Sequence, residues 1–266
     1  MQKASSLDAL RKKMAQEHHF DQEPDPQKVA ERNRRLEDQW RKTILDRRVY
    51  RWLKKSLWSG NRPMSFSFAQ WHPDEHNDPE LASKLGNQAW MITNRMKESD
   101  FNVLMTGEPG TGKTSLSLAI ADKLWQDEQR EYVFISTMAV SRLMNDRFHD
   151  DGESEYRLER LQKDAIKAKL LILDDFGTEA GMKLYNENTG KTHFKPVRKD
   201  MQEWMFQLAD ARLDEFTNSH RGSTLVTTNN KLSDLVQMYN PKLISRLITK
   251  RKENTIDFKG LDDMRG

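Results

Sequence analysis

The stretch "LMTGEPGTGKTSLSLA", Leu104 to Ala119, carries the spacing Gly107-x-x-x-x-Gly112-Lys113-Thr114. A short apolar run, "FNVLM", leads into it, and a segment rich in Leu and Ala follows. Strand, glycine loop, helix is the order of a phosphate-binding loop. Gly107, Gly110 and Gly112 let the backbone curl so that its N–H groups face phosphate oxygens. Glu108, Pro109, Thr111 and Ser115 fill out the stretch expected to wrap the phosphates of ATP. Lys113 is expected to reach the β and γ phosphates, and the Thr114 hydroxyl to ligate Mg²⁺. The helix that follows offers its positive N-terminal end to the same anion.

Working outward, "EYVFIST" (131–137), "KLLILDD" (169–175) and "STLVTTN" (223–229) are further apolar runs of strand length, separated by helical patterns. Strands alternating with helices predict an α/β fold, a parallel sheet with helices on both faces. Asp174 ends the second of these runs and is placed to hold Mg²⁺ through water. Asp175 is placed to orient or deprotonate the attacking water. Asn229 follows a strand expected between the loop strand and the Asp174 strand, where its amide can polarise that water. Asn230 is the expected cap of the next helix. Beyond it, "NPKLISRLITKRKENTIDFKGLDDMRG" supplies Lys242, Arg246 and Arg265.

The N-terminal part has another texture. "EPDP" at 23–26 breaks any helix, and from Lys28 to Trp58 apolar residues recur every four positions among many cations. Residues 1–63 hold 16 Lys/Arg against 9 Asp/Glu, a balance of +7, while residues 64–266 hold 28 against 32, or −4. We therefore divide the chain into a helical, basic domain with its linker (1–63) and an ATPase domain (64–266). "SFSFAQWHPDEHNDP" reads as a loop with aromatic anchors. "GMKLYNENTGKTHFKPVRKD" (181–200) has the polar, glycine-containing texture of a mobile loop.

The set GEPGTGKTS, LLILDDFG, TTNN, SRL and a terminal aromatic strand followed by Gly-x-x-x-x-Arg resembles the AAA+ ATPases of the DnaC/DnaI-type replicative helicase loaders, a group that includes the transposase helper IstB. The likeness covers roughly residues 64–266. It implies an AAA+ core with a five-stranded parallel sheet, behind a small helical domain. It also implies a slow, partner-stimulated ATPase that loads a hexameric replicative helicase onto single-stranded DNA in DNA replication. Residues 1–63 would grip the helicase, with Trp40, Trp52 and Trp58 as anchors. The ATPase domain would bind single-stranded DNA and self-associate into an open ring or spiral. An IstB-like transposition helper, binding DNA and a transposase, is the alternative. In this group an arginine finger stands four residues before the Arg of "SR", and here that position is Lys242. A lysine lacks the guanidinium fork, so part of the trans role would pass to Arg246. The two lie on one helix face and are expected to point toward a neighbour's ATP. Arg265 is expected to fold back as the cis sensor of the γ-phosphate. Arg142 and Arg147 are candidate DNA contacts.

Composition limits the alternatives. The chain has 266 residues, 36% hydrophobic and 32% charged, with no cysteine. Its mean hydropathy is −0.90. Disulfides and thiolate metal sites are excluded, and a reducing cytoplasm is the expected compartment. No apolar stretch is long enough for a membrane span.

Overall fold

The computed structural model describes residues 54–60, 62–180, 183–186, 191–194, 196–214 and 216–265. The expected helix over 28–58, with Trp40 and Trp52, lies outside the described residues as far as residue 53. Residues 51–266 form one compact unit.

In chain order the elements are α1 (Pro79–Glu98), β1 (Asn102–Thr106), α2 (Lys113–Glu128), β2 (Tyr132–Ser136), α3 (Thr137–Asp146), α4 (Glu153–Lys167), β3 (Leu170–Asp174), β4 (Lys183–Asn186), β5 (Lys191–Phe194), α5 (Lys199–Ala211), β6 (Leu213–Asp214), β7 (Ser219–His220), β8 (Ser223–Thr228), α6 (Leu232–Met238), α7 (Pro241–Leu247) and β9 (Thr255–Asp257). Five strands form the main sheet in the order β2-β3-β8-β1-β9. All of its pairings are parallel. The fold is therefore α/β, as predicted. The strand before Asn229 does lie between the loop strand and the Asp174 strand.

β2, β3 and β8 are buried along their length, which is why they read as unbroken apolar runs. Alternate residues serve opposite faces. Val133, Ile135, Leu171, Leu173 and Val226 join one core with residues of α3, α4, α5 and α7. Their sequence neighbours, among them the fully buried Phe134 and Ile172, serve the other face. There α1 and α2 pack on each other, and α1 buries Ala82, Leu85, Ala89, Ile92 and Met96 at helical spacing. Asp78 starts that helix by accepting a hydrogen bond from the Leu81 amide at 2.9 Å.

Two segments differ from the reading of the sequence. The 181–200 segment, expected as a mobile loop, contains an antiparallel pair, β4 with β5, in the register Lys183↔Phe194 to Asn186↔Lys191. Strand-forming Tyr185, Thr192 and Phe194 flank its turn signal, and that alternation outweighs the polar texture. Trp58, expected as a partner anchor on a helix, is outside any helix and directly follows the bridge residue Leu57. The Leu57 amide donates to Phe134 O at 2.7 Å, and Leu57 O accepts from the Ser136 amide at 2.8 Å. This adds a bridge beside β2. The Trp58 ring stacks on Phe134 with centroids 4.0 Å apart and is buried. An aromatic pair in that geometry contributes about 0.5–1.5 kcal/mol beyond its area.

Candidate nucleotide site

The ends of β1, β3 and β8 meet the N-terminus of α2 around a cleft of about 320 Å³. One wall is the glycine loop. Gly110 and Gly112 have φ of 75° and 94°, the left-handed region that glycine enters without a Cβ clash. A Cβ at Gly112 would lie 2.6 Å from the Trp71 ring, and one at Gly110 would lie 1.6 Å from the Asp263 carboxylate. At Gly112 packing as well as φ requires glycine, whereas at Gly110 the exposed Asp263 carboxylate can move aside and φ is the constraint. The loop is anchored from behind by Phe258, whose amide donates to Thr106 O at 2.8 Å.

Lys113 is buried, and its ammonium donates to Gly107 O at 2.9 Å and Glu108 O at 2.6 Å. Burial lowers its pKa, and the charges of Asp175 and Asp174 act in the opposite sense. The Thr114 hydroxyl donates to Asp174 Oδ1 at 2.8 Å, and the Thr227 hydroxyl donates to the same oxygen at 2.7 Å. Asp174 is buried, and burial raises its carboxyl from 3.8 to about 6, helped by the charge of Asp175 and opposed by the two hydroxyl bonds. Asp175 stands at the cleft with φ of 57°, left-handed for a residue that carries a Cβ. Its amide donates to Thr227 Oγ1 at 2.9 Å.

Asn229 and Arg265 both line the cleft with Lys113, Thr114 and Asp175. Asn230 does not cap α6: Lys231 is the N-cap residue and gives no side-chain bond. Its side chain lies against Gly177, where a Cβ would meet Asn230 Nδ2 at 2.5 Å. The C-terminal cations separate. Lys242 is exposed on α7. Arg246 is partnered within the chain: its Nε lies 2.6 Å from Asp210 Oδ1, and its guanidinium sits 4.9 Å from the Phe206 ring centroid. Arg147 likewise pairs with Asp200 at 2.8 Å, while Arg142 is exposed.

The sequence reading missed two features. Thr227 fixes both Asp174 and the Asp175 amide, and nothing in "LVTTNN" marks its first threonine as different from its second. The other is the far wall of the cleft, formed by Phe66, Gln70, Trp71 and His76. The Trp71 indole N–H donates to Ala82 O at 3.0 Å, and its ring lies 4.5 Å from that of His76. The aromatic cluster in "SFSFAQWHPDEH" was its signal.

The donor set fits a magnesium nucleotide. A glycine cradle with no room for a Cβ at Gly112, a buried ammonium and an aromatic wall suit a nucleoside triphosphate. A hydroxyl and a carboxylate on one point suit a hard cation with oxygen ligands. Bound there, the metal would supply charge neutralisation for phosphoryl transfer.

Lys113→Ala should weaken ATP binding about 100-fold, because a charge-assisted bond to phosphate is lost. The fold should survive, since the carbonyls it releases border the cleft. Titration with a fluorescent ATP analogue, alongside a melting curve, checks both statements.

Comparison with known proteins agrees with this geometry. The family model described as "AAA domain (dynein-related subfamily)" matches residues 102–247. The ATP-binding protein of insertion sequence IS21 from Pseudomonas aeruginosa is 24% identical over 166 residues, 61% of this chain and 52% of that protein. Protein YdaV of Escherichia coli K12 is 31% identical over 93 residues, 35% of this chain and 36% of that one. The chain thus spans about half the length of the first and about a third of the second. Among solved structures it is similar to that of the DnaC helicase loader, at 15% identity and a TM-score of 0.48, covering 72% of this chain and 97% of that chain. The family match takes in the glycine loop, both aspartates, Asn229 and α7, and the chain belongs to the AAA domain family.

Proposed function

We propose that the chain is an ATPase that delivers a hexameric replicative helicase onto single-stranded DNA. The ATPase part is carried by one observation: Lys113, Thr114 and Asp175 line one cleft, and Asp174 accepts from the Thr114 hydroxyl, the expected metal ligand. Lys113 and Arg265 would hold the β and γ phosphates in cis, Asp175 would take the proton of the attacking water, and Asn229 would orient that water. The choice of partner rests on the motif set shared with the loaders and on the +7 charge of residues 1–63. The ATPase domain would assemble through α7, with Lys242 reaching the nucleotide of a neighbour.

Co-purification with candidate replicative helicases tests the partner. The full chain should retain a helicase without ATP, and the compact unit of residues 51–266, which keeps Leu57 and Trp58 on β2, should not. Single-stranded DNA should be bound through phosphates, with affinity falling about tenfold or more between ~50 and ~200 mM salt and differing little between sequences. The second reading, an IstB-like transposition helper, is favoured by the similarity to the IS21 ATP-binding protein. Preference for duplex DNA and capture of a transposase rather than a helicase would select it.

The two cations of α7 should behave differently. Lys242→Ala should lower DNA- or helicase-stimulated turnover and leave the melting temperature unchanged. Arg246→Ala should instead destabilise by about 1–3 kcal/mol, since it strips Asp210 of its partner and uncovers Phe206. Denaturant melts and mixed-subunit assays separate these outcomes. Restored activity on mixing Lys242→Ala with Lys113→Ala would place the lysine in trans. Equal loss of turnover without loss of stability in Arg246→Ala would return the finger role to the arginine.

A further inference from the structure

Four residues beyond Asp175, the Glu179 carboxylate joins three separate elements. Its Oε2 accepts from the Thr137 hydroxyl at 2.8 Å and from the Gly177 amide at 3.0 Å. Its Oε1 accepts from the Tyr239 hydroxyl. Thr137 opens α3 at the end of β2, and its hydroxyl has a competing acceptor, Asp175 O, at 3.0 Å. Tyr239 stands between α6 and α7, next to Asn240, whose side chain caps α7 at the Lys242 amide. The Tyr239 ring also stacks on Phe176, the residue after Asp175, with centroids 4.5 Å apart and planes 10° from parallel.

The left-handed backbone of Asp175 makes this network more than packing. Such a conformation costs a residue with a Cβ about 1–2 kcal/mol and persists where its surroundings fix it. The fixing contacts are identifiable. The Asp175 amide is held by Thr227, and its carbonyl accepts from the Thr178 amide at 3.1 Å and faces the Thr137 hydroxyl. Glu179 and that carbonyl share the single hydroxyl proton, so Glu179 fixes where the Thr137 side chain stands against the Asp175 backbone. We propose that Glu179, acting through Thr137 and Tyr239, is a positioning residue that holds Asp175 in register with α7, so that the hydrolytic carboxylate and the helix presenting Lys242 move as one unit. This rests on the reading of Asp175 as the residue that orients water.

The test uses the full chain and six variants, with kcat and KM for ATP, the affinity for a non-hydrolysable analogue, and amide hydrogen exchange of residues 175–180 and 239–247 without nucleotide. Thr137→Val and Glu179→Ala should lower kcat about 10- to 100-fold with analogue affinity within about twofold, because a misplaced catalytic group loses rate and not binding. Both should speed exchange in both segments. Thr137→Ser should recover most of the rate. Glu179→Gln should recover it too: its amide oxygen can accept from Thr137 and Gly177, and its NH₂ can donate to the Tyr239 oxygen. Tyr239→Phe keeps the ring on Phe176 and loses only the hydroxyl, so it should speed exchange in residues 239–247 and lower kcat. Wild-type kcat and exchange in Thr137→Val and Tyr239→Phe, with Asp175→Asn inactive, would overturn the positioning role and leave the Asp175 reading standing. Glu179→Gln as slow as Glu179→Ala would overturn it by showing that charge, not geometry, matters. Wild-type turnover in Asp175→Asn would overturn the Asp175 reading itself.

Discussion

Asp175→Asn is expected to lower kcat about 10²- to 10⁴-fold while the chain still binds ATP and melts at the wild-type temperature. The rate loss follows from the role: an amide cannot accept the proton of the attacking water, and a positioned general base contributes that much. Intact folding follows from the backbone. Asparagine enters the left-handed region more readily than other residues with a Cβ, so φ of 57° is kept. The Asp175 amide that donates to Thr227 Oγ1 is unchanged by the substitution. Removing a negative charge beside the phosphate site should leave ATP affinity equal or tighter. Asp175→Glu is the informative companion. It keeps the carboxylate and lengthens its reach, but a glutamate tolerates the left-handed backbone less well, so any gain in turnover should come with a lower melting temperature. Phosphate release under single-turnover conditions, read beside analogue binding, checks the prediction. An Asp175→Asn chain that hydrolyses at the wild-type rate would remove Asp175 from the mechanism.

Much of the site was legible because its chemistry is local in sequence. The glycine loop spans eight consecutive residues, and the two aspartates are adjacent at the end of one apolar run, so the topology needed only to bring two strand ends together. The order β3-β8-β1 did that and placed Asn229 at the cleft. What could not be read depends on contacts between distant segments. Arg246 looked as free as Lys242, because nothing in the sequence pairs it with Asp210, thirty-six positions earlier on α5. Trp58 looked like a surface anchor because it closes the helical pattern read from Lys28 onward. The open edge of β2 offered more, two backbone bonds and a ring stack on Phe134. Trp71 joins the site only because α1, a separate element, supplies the carbonyl that fixes its indole. Glu179 carried no motif at all.

Asp174→Asn should make the protein more stable and less able to use its nucleotide, the reverse of what most core substitutions do. Burial raises the Asp174 carboxyl from 3.8 to about 6, so the folded chain holds a proton there that the unfolded chain releases. That difference corresponds to about 3 kcal/mol against the folded state once the group is ionised. The sign follows the proton. Below about pH 3.8 the group is neutral in both states and the penalty is absent. It grows between 3.8 and about 6 and is constant above, so stability falls as pH rises through that window. Asparagine removes the buried charge, and its oxygen can still accept from Thr114 and Thr227. Its NH₂ needs an acceptor that the carboxylate did not, which offsets part of the gain. The net rise should be about 1–3 kcal/mol at pH 7.5 and close to zero at pH 4, measured by denaturant melts at the two values. Mg²⁺-dependent ATP binding should be lost, because an amide oxygen holds a divalent ion far less well than a carboxylate. In the wild-type chain the same proton should compete with the metal, so the apparent affinity for Mg²⁺ should weaken as pH drops below about 6. A variant no more stable than wild type at pH 7.5 would mean that Thr114, Thr227 and Lys113 already offset the burial of this carboxylate, and that the site is held together by its charge and not strained by it.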